Sequence, residues 1–134
     1  MGKRRILLVD DEFLILYALA KTLASDSIEV TQVQSAEEAL SKIDGTHYDL
    51  CLLDHCLPGM SGLQAMRLIH ENSPETKVVI MTATHLNPRE QAMVEEMAYC
   101  LIKKPFDLLE VKELANQILR LTPGRQGLKR MPTR

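Results

Sequence analysis

The chain alternates between short apolar runs and longer amphipathic stretches, and this order constrains its fold more than any other feature. The apolar runs at residues 6–9 and 50–53 are typical of strands buried in a parallel sheet. The stretches between such runs carry apolar residues at three- and four-residue spacing, as Leu16, Leu19 and Leu23 do, which indicates helices with one buried face. Five strand–helix units without an internal repeat predict a doubly wound α/β domain.

The predicted elements follow one another along most of the chain. Strands are predicted at residues 5–10, 28–33, 49–53, 77–81 and 99–103, and helices at 12–25, 36–45, 62–71, 88–97 and from 108 to an inward-facing Leu121. Ser35 and Glu38 predict a capping box, Asn87 precedes a proline at a helix start, and Asp107 caps the last helix. The expected fold is flavodoxin-like, a five-stranded parallel sheet in the order 2-1-3-4-5.

Composition excludes several classes of protein. The 134 residues fit one domain with a core of its own, and no stretch approaches the roughly 20 apolar residues that span a bilayer. The apolar run after the first five residues is too short for the core of a signal peptide. Three cysteines, an odd number without paired ligand spacing, indicate free thiols in a reducing cytosol. We therefore expect a cytoplasmic protein that makes no use of a membrane.

Charge divides the chain into an acidic body and a basic end. Residues 122–134 hold four basic residues and no acid, which leaves 12 basic and 18 acidic residues in the rest. An acidic body argues against direct binding of a nucleic-acid backbone. We expect a compact domain at residues 3–121 and a flexible basic tail at 122–134, which could be a linker to a further module, a weak contact arm or a solvated end.

Acidic residues follow two of the predicted strands. Asp10, Asp11 and Glu12 come after the first strand, and Asp54 comes after the third. In the order 2-1-3-4-5 these strands are neighbours, and ligand sites of such sheets lie beyond the carboxyl ends of the strands. Crowded carboxylates repel one another and need a cation to share the space. The pattern predicts a metal-dependent acidic site, although Asp10 and Asp11 could instead be acids at a helix start that interact with the helix dipole.

Two further polar residues end strands at the same edge. Thr82 ends the fourth strand, and Lys104 follows the fifth, where Pro105 favours an extended backbone that aims the lysine beyond the strand. Taken singly, the threonine is an ordinary strand end and the lysine a solvated charge. The four histidines show no paired ligand spacing and are expected to be ordinary surface residues, with His55 and His85 the two that could rim the crevice.

These strand ends carry a set of motifs that resembles the receiver domain of two-component response regulators. The resemblance covers about residues 3–121, and four motifs in one order are more specific than any one of them. The matching pieces are Val9-Asp10-Asp11-Glu12, Leu53-Asp54 with Pro58-Gly59 and Gly62, Met81-Thr82-Ala83, and Lys104-Pro105-Phe106.

The resemblance implies a bacterial phosphoprotein of the phosphorelay type. Asp54 would accept a phosphoryl group from a histidine of a sensor kinase or phosphotransfer protein. Lys104 would neutralise charge on the transferring oxygens, and Thr82 would bind a phosphoryl oxygen and register the modification. Such a domain assists its own phosphorylation and dephosphorylation but is a signalling domain and not an enzyme.

The resemblance also implies a Mg²⁺ site. Asp11 would bind the ion directly and Asp10 mostly through water, with Asp54 and the backbone carbonyl of Cys56 as further ligands. Mg²⁺ prefers hard oxygen ligands and usually retains several waters, which suits this set.

Signal output is expected to depart from the family pattern. Receiver domains commonly carry an aromatic residue three positions before the lysine, where this chain has Leu101, with Tyr99 predicted on the same side of the strand. The helix at 88–97 has few apolar residues beyond Met93, Val94 and Met97, and weakly packed elements shift easily. We expect output through the fourth helix and fifth strand. A homodimer through these elements and the fifth helix, an output domain or a protein target would be the partners, with nucleic acid bound only by a missing output domain.

Rival functions make different demands on the sequence. A phosphohydrolase with a strand-end aspartate nucleophile typically has a second aspartate two residues later, where this chain has Cys56. An interaction module that kept only the fold would not need all three acids, Thr82 and Lys104. Nucleotide binding is poorly supported, because no P-loop or GxGxxG pattern follows the first strand.

Overall fold

The computed structural model describes residues 2–120, which form alternating strands and helices. The strands are β1 (Arg4–Val9), β2 (Ile28–Val33), β3 (Leu50–Asp54), β4 (Lys77–Thr82) and β5 (Cys100–Lys103); the helices are α1 (Phe13–Leu23), α2 (Ala36–Gly45), α3 (Gly62–Asn72), α4 (Pro88–Met97) and α5 (Leu108–Leu119). All strand pairs are parallel in the order β2-β1-β3-β4-β5. The predicted fold class is confirmed.

The ends of several elements differ from their predicted positions by one or two residues. Helix α1 ends at Leu23 and not at 25, because Ala24 adopts an extended backbone with φ −69° and ψ 142°. Strand β3 extends to Asp54, and β5 begins at Cys100 and not at 99. Helix ends fray, and such offsets are ordinary. The predicted inward residue Leu121 and the predicted tail at 122–134 lie outside the described residues.

Side-chain caps begin three of the helices at the predicted residues. Asn87 and Glu90 form a full capping box at α4, and the Asp107 carboxylate accepts a hydrogen bond from the backbone N–H of Leu109. The box predicted at Ser35 forms only half, because the Glu38 carboxylate accepts from the N–H of Gln34, at 3.2 Å, in place of that of Ser35. The hydroxyl of Ser35 still caps α2 by accepting from Glu38 N–H at 3.1 Å.

The sheet separates two apolar cores, and alternate residues of each strand belong to opposite cores. Leu7 and Val9 pack with helices α2, α3 and α4, while Ile6 and Leu8 pack with α1 and α5. All five residues of β3 are buried, because a central strand is covered by helices on both faces. No helix among residues 2–120 has the length and apolarity needed to cross a membrane.

One prediction about strand β5 is wrong. Leu101 belongs to the core under α4, whereas Tyr99 packs against the opposite core. The expected two-residue alternation fails because Tyr99 precedes the strand and is not part of it. Leu101 therefore has no aromatic neighbour from its own strand on the α4 side of the sheet within the described residues.

The register of the sheet brings the carboxyl ends of its strands to one edge. Val9 of β1 pairs with Leu53 of β3, so that Asp10 and Asp54 each lie one residue beyond the same pair. Thr82, the last residue of β4, pairs with Lys103 of β5. The polar strand ends singled out in the sequence therefore border one crevice.

Candidate functional site

Three aspartates form the centre of the crevice. Asp10 follows β1, Asp11 comes next, and Asp54 ends β3; each offers one carboxylate oxygen, and these oxygens all lie within 4.8 Å of one another. Asp10 is fully buried and Asp54 is only 5% exposed, whereas Asp11 is exposed. The crevice thus holds two carboxylates that water screens poorly and a third at its mouth.

Lys104 links these acids. Its Nζ lies 2.7 Å from an oxygen of Asp10 and 3.1 Å from one of Asp54, and the lysine side chain is only 12% exposed. Glu12 comes within 3.5 Å of the same ammonium group. The backbone positions the lysine, because its N–H bonds to the carbonyl of Thr82, at 2.8 Å. The other oxygen of Asp10 accepts from the N–H of Glu12, at 2.9 Å.

The charges of the site shift two pKa values. Burial, and then the negative charge of Asp10, raise the pKa of Asp54 above its usual range, and Lys104 opposes this shift without cancelling it. For Lys104, burial alone lowers the pKa, but its hydrogen bonds and ion pairs with Asp10 and Asp54 outweigh burial and raise it. The lysine therefore stays cationic, and a further positive charge beside Asp54 would favour the ionised form of that carboxyl group.

The hydroxyl of Thr82 is engaged on the side of the crevice toward α4. It accepts a hydrogen bond from the backbone N–H of Thr84 at 3.1 Å and lies 3.2 Å from the carbonyl oxygen of that residue. The Nδ1 atom of His55 lies 3.3 Å from the same hydroxyl. Thr82 is buried, so these contacts replace water as its partners.

The loop after Asp54 is fixed at both ends. His55 N–H bonds to the carbonyl of Met81, at 2.8 Å, and the His55 carbonyl accepts from Gly62 N–H, at 3.0 Å. Gly59 has a φ of 78°, a left-handed conformation that favours glycine. Cys56 lies in this loop with its side chain exposed, and its Sγ is 3.7 Å from His55 Nδ1.

Two residues have contacts that the sequence did not single out. Glu12, the first residue of the helix predicted at 12–25, precedes α1 as its N-cap and approaches Lys104. His55 was expected at most to rim the crevice, yet it contacts Thr82 and lies 3.7 Å from Glu90 of α4. The signal for His55 was its place directly after Asp54, where the chain still bonds to β4. His85 is exposed.

The sequence matches a known family over most of its length. Residues 6–116 match the response regulator receiver domain. Since that match covers well over half of the chain, the protein belongs to the response regulator receiver family, and the resemblance inferred from the motifs is confirmed. Receiver domains are signalling domains of two-component systems.

Characterised relatives and solved structures agree with this assignment. The chain is 33% identical to the two-component response regulator PhoP of Pseudomonas aeruginosa over 90% of its own length and 53% of that protein. It is 30% identical to the response regulator ARR3 of Arabidopsis thaliana, covering 96% of the chain and 62% of the relative. The chain thus spans about half to three fifths of these relatives.

Solved receiver structures share the fold of this chain. A CheY-like receiver domain protein from Methanospirillum hungatei superposes with a TM-score of 0.80 at 26% identity, covering 89% of this chain and 96% of that one. The response regulator TrrA of Thermotoga maritima, solved in complex with Mg²⁺ and beryllofluoride, superposes with a TM-score of 0.75 at 32% identity, covering 86% and 98%.

Proposed function

We propose that this domain accepts a phosphoryl group on Asp54 from a phosphorylated histidine of a partner, in a reaction that requires Mg²⁺. The observation that carries the proposal is the convergence of Asp54, Asp10, Asp11 and Lys104, whose charged atoms come from three strand ends. Response regulators act with histidine kinases, so a sensor kinase or a phosphotransfer protein is the expected donor.

The chemistry requires a free carboxylate and neutralised phosphoryl oxygens. An oxygen of Asp54 attacks phosphorus, the bond to the histidine nitrogen of the donor breaks, and the imidazole leaves with the bonding electrons and takes up a proton. Phosphoryl transfer needs little from the protein beyond positioning and charge stabilisation. Lys104, held 3.1 Å from Asp54, would stabilise negative charge on the transferring oxygens. Thr82 would donate its hydroxyl proton to one of them.

The acidic cluster fits a magnesium ion. It offers carboxylate oxygens, the hard ligands that Mg²⁺ prefers, and burial together with the charge of Asp10 raises the pKa of Asp54, so that a cation here would favour its ionised form. Asp11, Asp54 and the carbonyl of Cys56 would hold the ion, with Asp10 acting mostly through water, since both of its oxygens already accept hydrogen bonds. When bound, the ion supplies positive charge to the phosphoryl oxygens. The Mg²⁺ and beryllofluoride complex of TrrA supports the proposal.

Labelling with a small phosphodonor tests the acceptor. Incubation with acetyl phosphate and Mg²⁺ should add one phosphoryl group, detected by mass spectrometry of the intact protein. Asp54→Asn should remain unlabelled, because an amide is a poor nucleophile, and removal of Mg²⁺ with a chelator should stop labelling of the wild type. Labelling of Asp54→Asn to the wild-type level would place the acceptor elsewhere.

Output should run through α4 and β5. In α4 only Val94 is buried, with Met93 and Met97 partly buried, so this helix is weakly anchored to the core. Leu101 would serve as a packing residue beneath it. Hydrogen exchange with and without beryllofluoride should change across residues 83–103. Changes confined to the loop after Asp54 would contradict this route.

The phosphoryl group should be long-lived. The residues two positions beyond Asp54 and Thr82 are Cys56 and Thr84, and neither is an acid or an amide that orients an attacking water well. We expect the phosphoryl group to have a half-life of minutes or longer, measured by phosphoprotein gel or mass spectrometry. A half-life of seconds would contradict this expectation of slow dephosphorylation.

The domain would span residues 3–121, with 122–134 a basic linker or tail. A cytoplasmic bacterial regulator would pass the signal to an output domain or a protein target. A homodimer through α4, β5 and α5 is a further expected partner arrangement, and nucleic acid would be bound only by an output domain.

A further inference from the structure

His55 lies between the hydroxyl of Thr82 and helix α4. Its Nδ1 lies 3.3 Å from the Thr82 hydroxyl, and its Nε2 lies 3.7 Å from a carboxylate oxygen of Glu90. The imidazole is only 12% exposed and the Glu90 side chain 32%, so neither group is freely solvated. His55 directly follows β3, Thr82 ends β4 and Glu90 lies in the first turn of α4.

The hydroxyl of Thr82 has one proton, and its neighbours in this arrangement compete for it. Thr84 N–H already donates to the hydroxyl oxygen, and the hydroxyl proton can go to the Thr84 carbonyl, at 3.2 Å, or to His55 Nδ1, at 3.3 Å. A neutral imidazole carries one N–H and one acceptor nitrogen. With Nε2–H facing the Glu90 carboxylate, 3.7 Å away, Nδ1 is left as an acceptor that competes with the Thr84 carbonyl for the Thr82 proton.

Glu90 can orient the imidazole without giving up its cap. Its Oε1 atom accepts from the backbone N–H of Asn87, at 3.0 Å, which closes the capping box of α4. The other oxygen, Oε2, faces His55. One carboxylate therefore joins the start of α4 to the imidazole that contacts Thr82.

We propose that His55 is a positioning residue that holds the Thr82 hydroxyl toward α4 while Asp54 is unphosphorylated. When the hydroxyl turns to the phosphoryl group, the contact with His55 is lost and the imidazole no longer ties the first turn of α4 to β4. The inference rests on the proposed function, because it requires Thr82 to bind the phosphoryl group. His55 thereby sets the ratio between the state in which the Thr82 hydroxyl faces α4 and the state in which it faces the phosphoryl group. Loss of the contact between His55 and Thr82 then alters the contact of His55 with Glu90.

Binding of Mg²⁺ and beryllofluoride, measured by calorimetry, tests the inference. In His55→Phe the ring remains but the hydrogen bond to Thr82 is lost, so the dissociation constant for beryllofluoride should fall about two- to tenfold, the range that one hydrogen bond supports. The amide signal of Glu90 in ¹H–¹⁵N spectra should also respond much less to beryllofluoride than in the wild type. His55→Gln, whose amide can accept from Thr82 and donate toward Glu90, should restore values close to wild type.

A double-mutant comparison separates positioning from a structural effect. In a Thr82→Ala background, which has no hydroxyl to hold, His55→Phe should leave the dissociation constant unchanged. His70→Phe, which removes an exposed imidazole at the far end of α3, should behave as wild type. Should His55→Phe not fold, Glu90→Gln serves in its place: it keeps the α4 cap, weakens the anchor of His55 and should shift the constant in the same direction.

The outcomes distinguish this inference from the proposed function. Wild-type protein that binds no beryllofluoride would overturn the proposed function and this inference with it. Two results would overturn this inference and leave the proposed function standing. In the first, wild type binds beryllofluoride and His55→Phe binds it with the same dissociation constant. In the second, His55→Phe still lowers the dissociation constant in the Thr82→Ala background.

Discussion

Gly62→Ala should damage both stability and phosphorylation, because the backbone of Asp54 passes against this glycine. A Cβ added to Gly62 would lie 2.0 Å from the carbonyl oxygen of Asp54 and 2.9 Å from the Cα of His55. Ordinary van der Waals contact begins at 3.4 Å, so the backbone segments at Gly62 and Asp54 would have to separate by about 1.4 Å. Both obstructing atoms belong to the backbone, so no side-chain rotation can relieve the clash.

The expected cost lies at the upper end of overpacking. Added atoms in a packed site typically lower the free energy of unfolding by about 1–3 kcal/mol, and because this clash is with backbone we expect a loss of about 3 kcal/mol. The higher helix propensity of alanine returns less than about 1 kcal/mol. With a urea dependence of about 1–3 kcal/mol per M for a small domain, the midpoint of unfolding should fall by about 1–3 M. The rate of labelling by acetyl phosphate should fall too, since the displaced atoms carry the acceptor.

Gly45→Ala provides the matched control. Gly45 ends α2, and a Cβ there meets nothing within 4 Å. The free energy of unfolding of this variant should lie within about 0.5 kcal/mol of the wild-type value, as for most substitutions at open surface positions. Acetyl phosphate should label it at the wild-type rate. A Gly62→Ala protein with the urea midpoint and labelling rate of Gly45→Ala would refute the steric argument.

Three further predictions concern charge and thiols. Mg²⁺ should raise the melting temperature by binding the native state, and Asp11→Ala should lose most of this rise; an equal rise would show that the ion binds elsewhere. The pKa of Asp54 is raised in the folded protein, so metal-free wild type should lose stability relative to Asp54→Asn as the pH increases from 3.8 through the folded pKa. Urea unfolding at several pH values measures this difference, and a difference that does not change with pH would contradict the prediction. A maleimide should label Cys56 first, since Cys100 is buried and burial raises the pKa of Cys51 to about 12; mass spectrometry of peptides would reveal any other order.

The fold could be predicted because its signals are local and repeated. Apolar runs, helical spacing and caps at Asn87 and Asp107 each indicate one element, and the right-handed crossover rule limits how parallel strands can be joined. The positions of element ends were less predictable, since the last turn of α1 is decided by backbone geometry at Ala24. The half-formed box at Ser35 depends on which of two neighbouring N–H groups the Glu38 carboxylate reaches.

The acids of the site could be predicted from strand ends, whereas the contacts around Thr82 could not. Sheet order alone places Asp10 beside Asp54, because residues beyond paired strands share an edge. The contact of His55 with Thr82 and its approach to Glu90 depend on one rotamer and on where the first turn of α4 lies. Tyr99 shows the limit of periodicity, which holds only inside a strand.

The pairing of Val9 with Leu53 fixes the distance between the two acids that follow these residues. Parallel neighbours in a sheet lie about 4.8 Å apart, a spacing fixed by backbone hydrogen bonds and not by the identity of the side chains. Two acids that each follow this pair inherit their separation from the backbone itself. Substitutions among the aliphatic residues of either core can therefore accumulate, or be designed, while the gap between Asp10 and Asp54 stays constant. A one-residue deletion within β1 or β3, by contrast, would shift one acid along its strand and would be expected to abolish the site even in a protein that still folds.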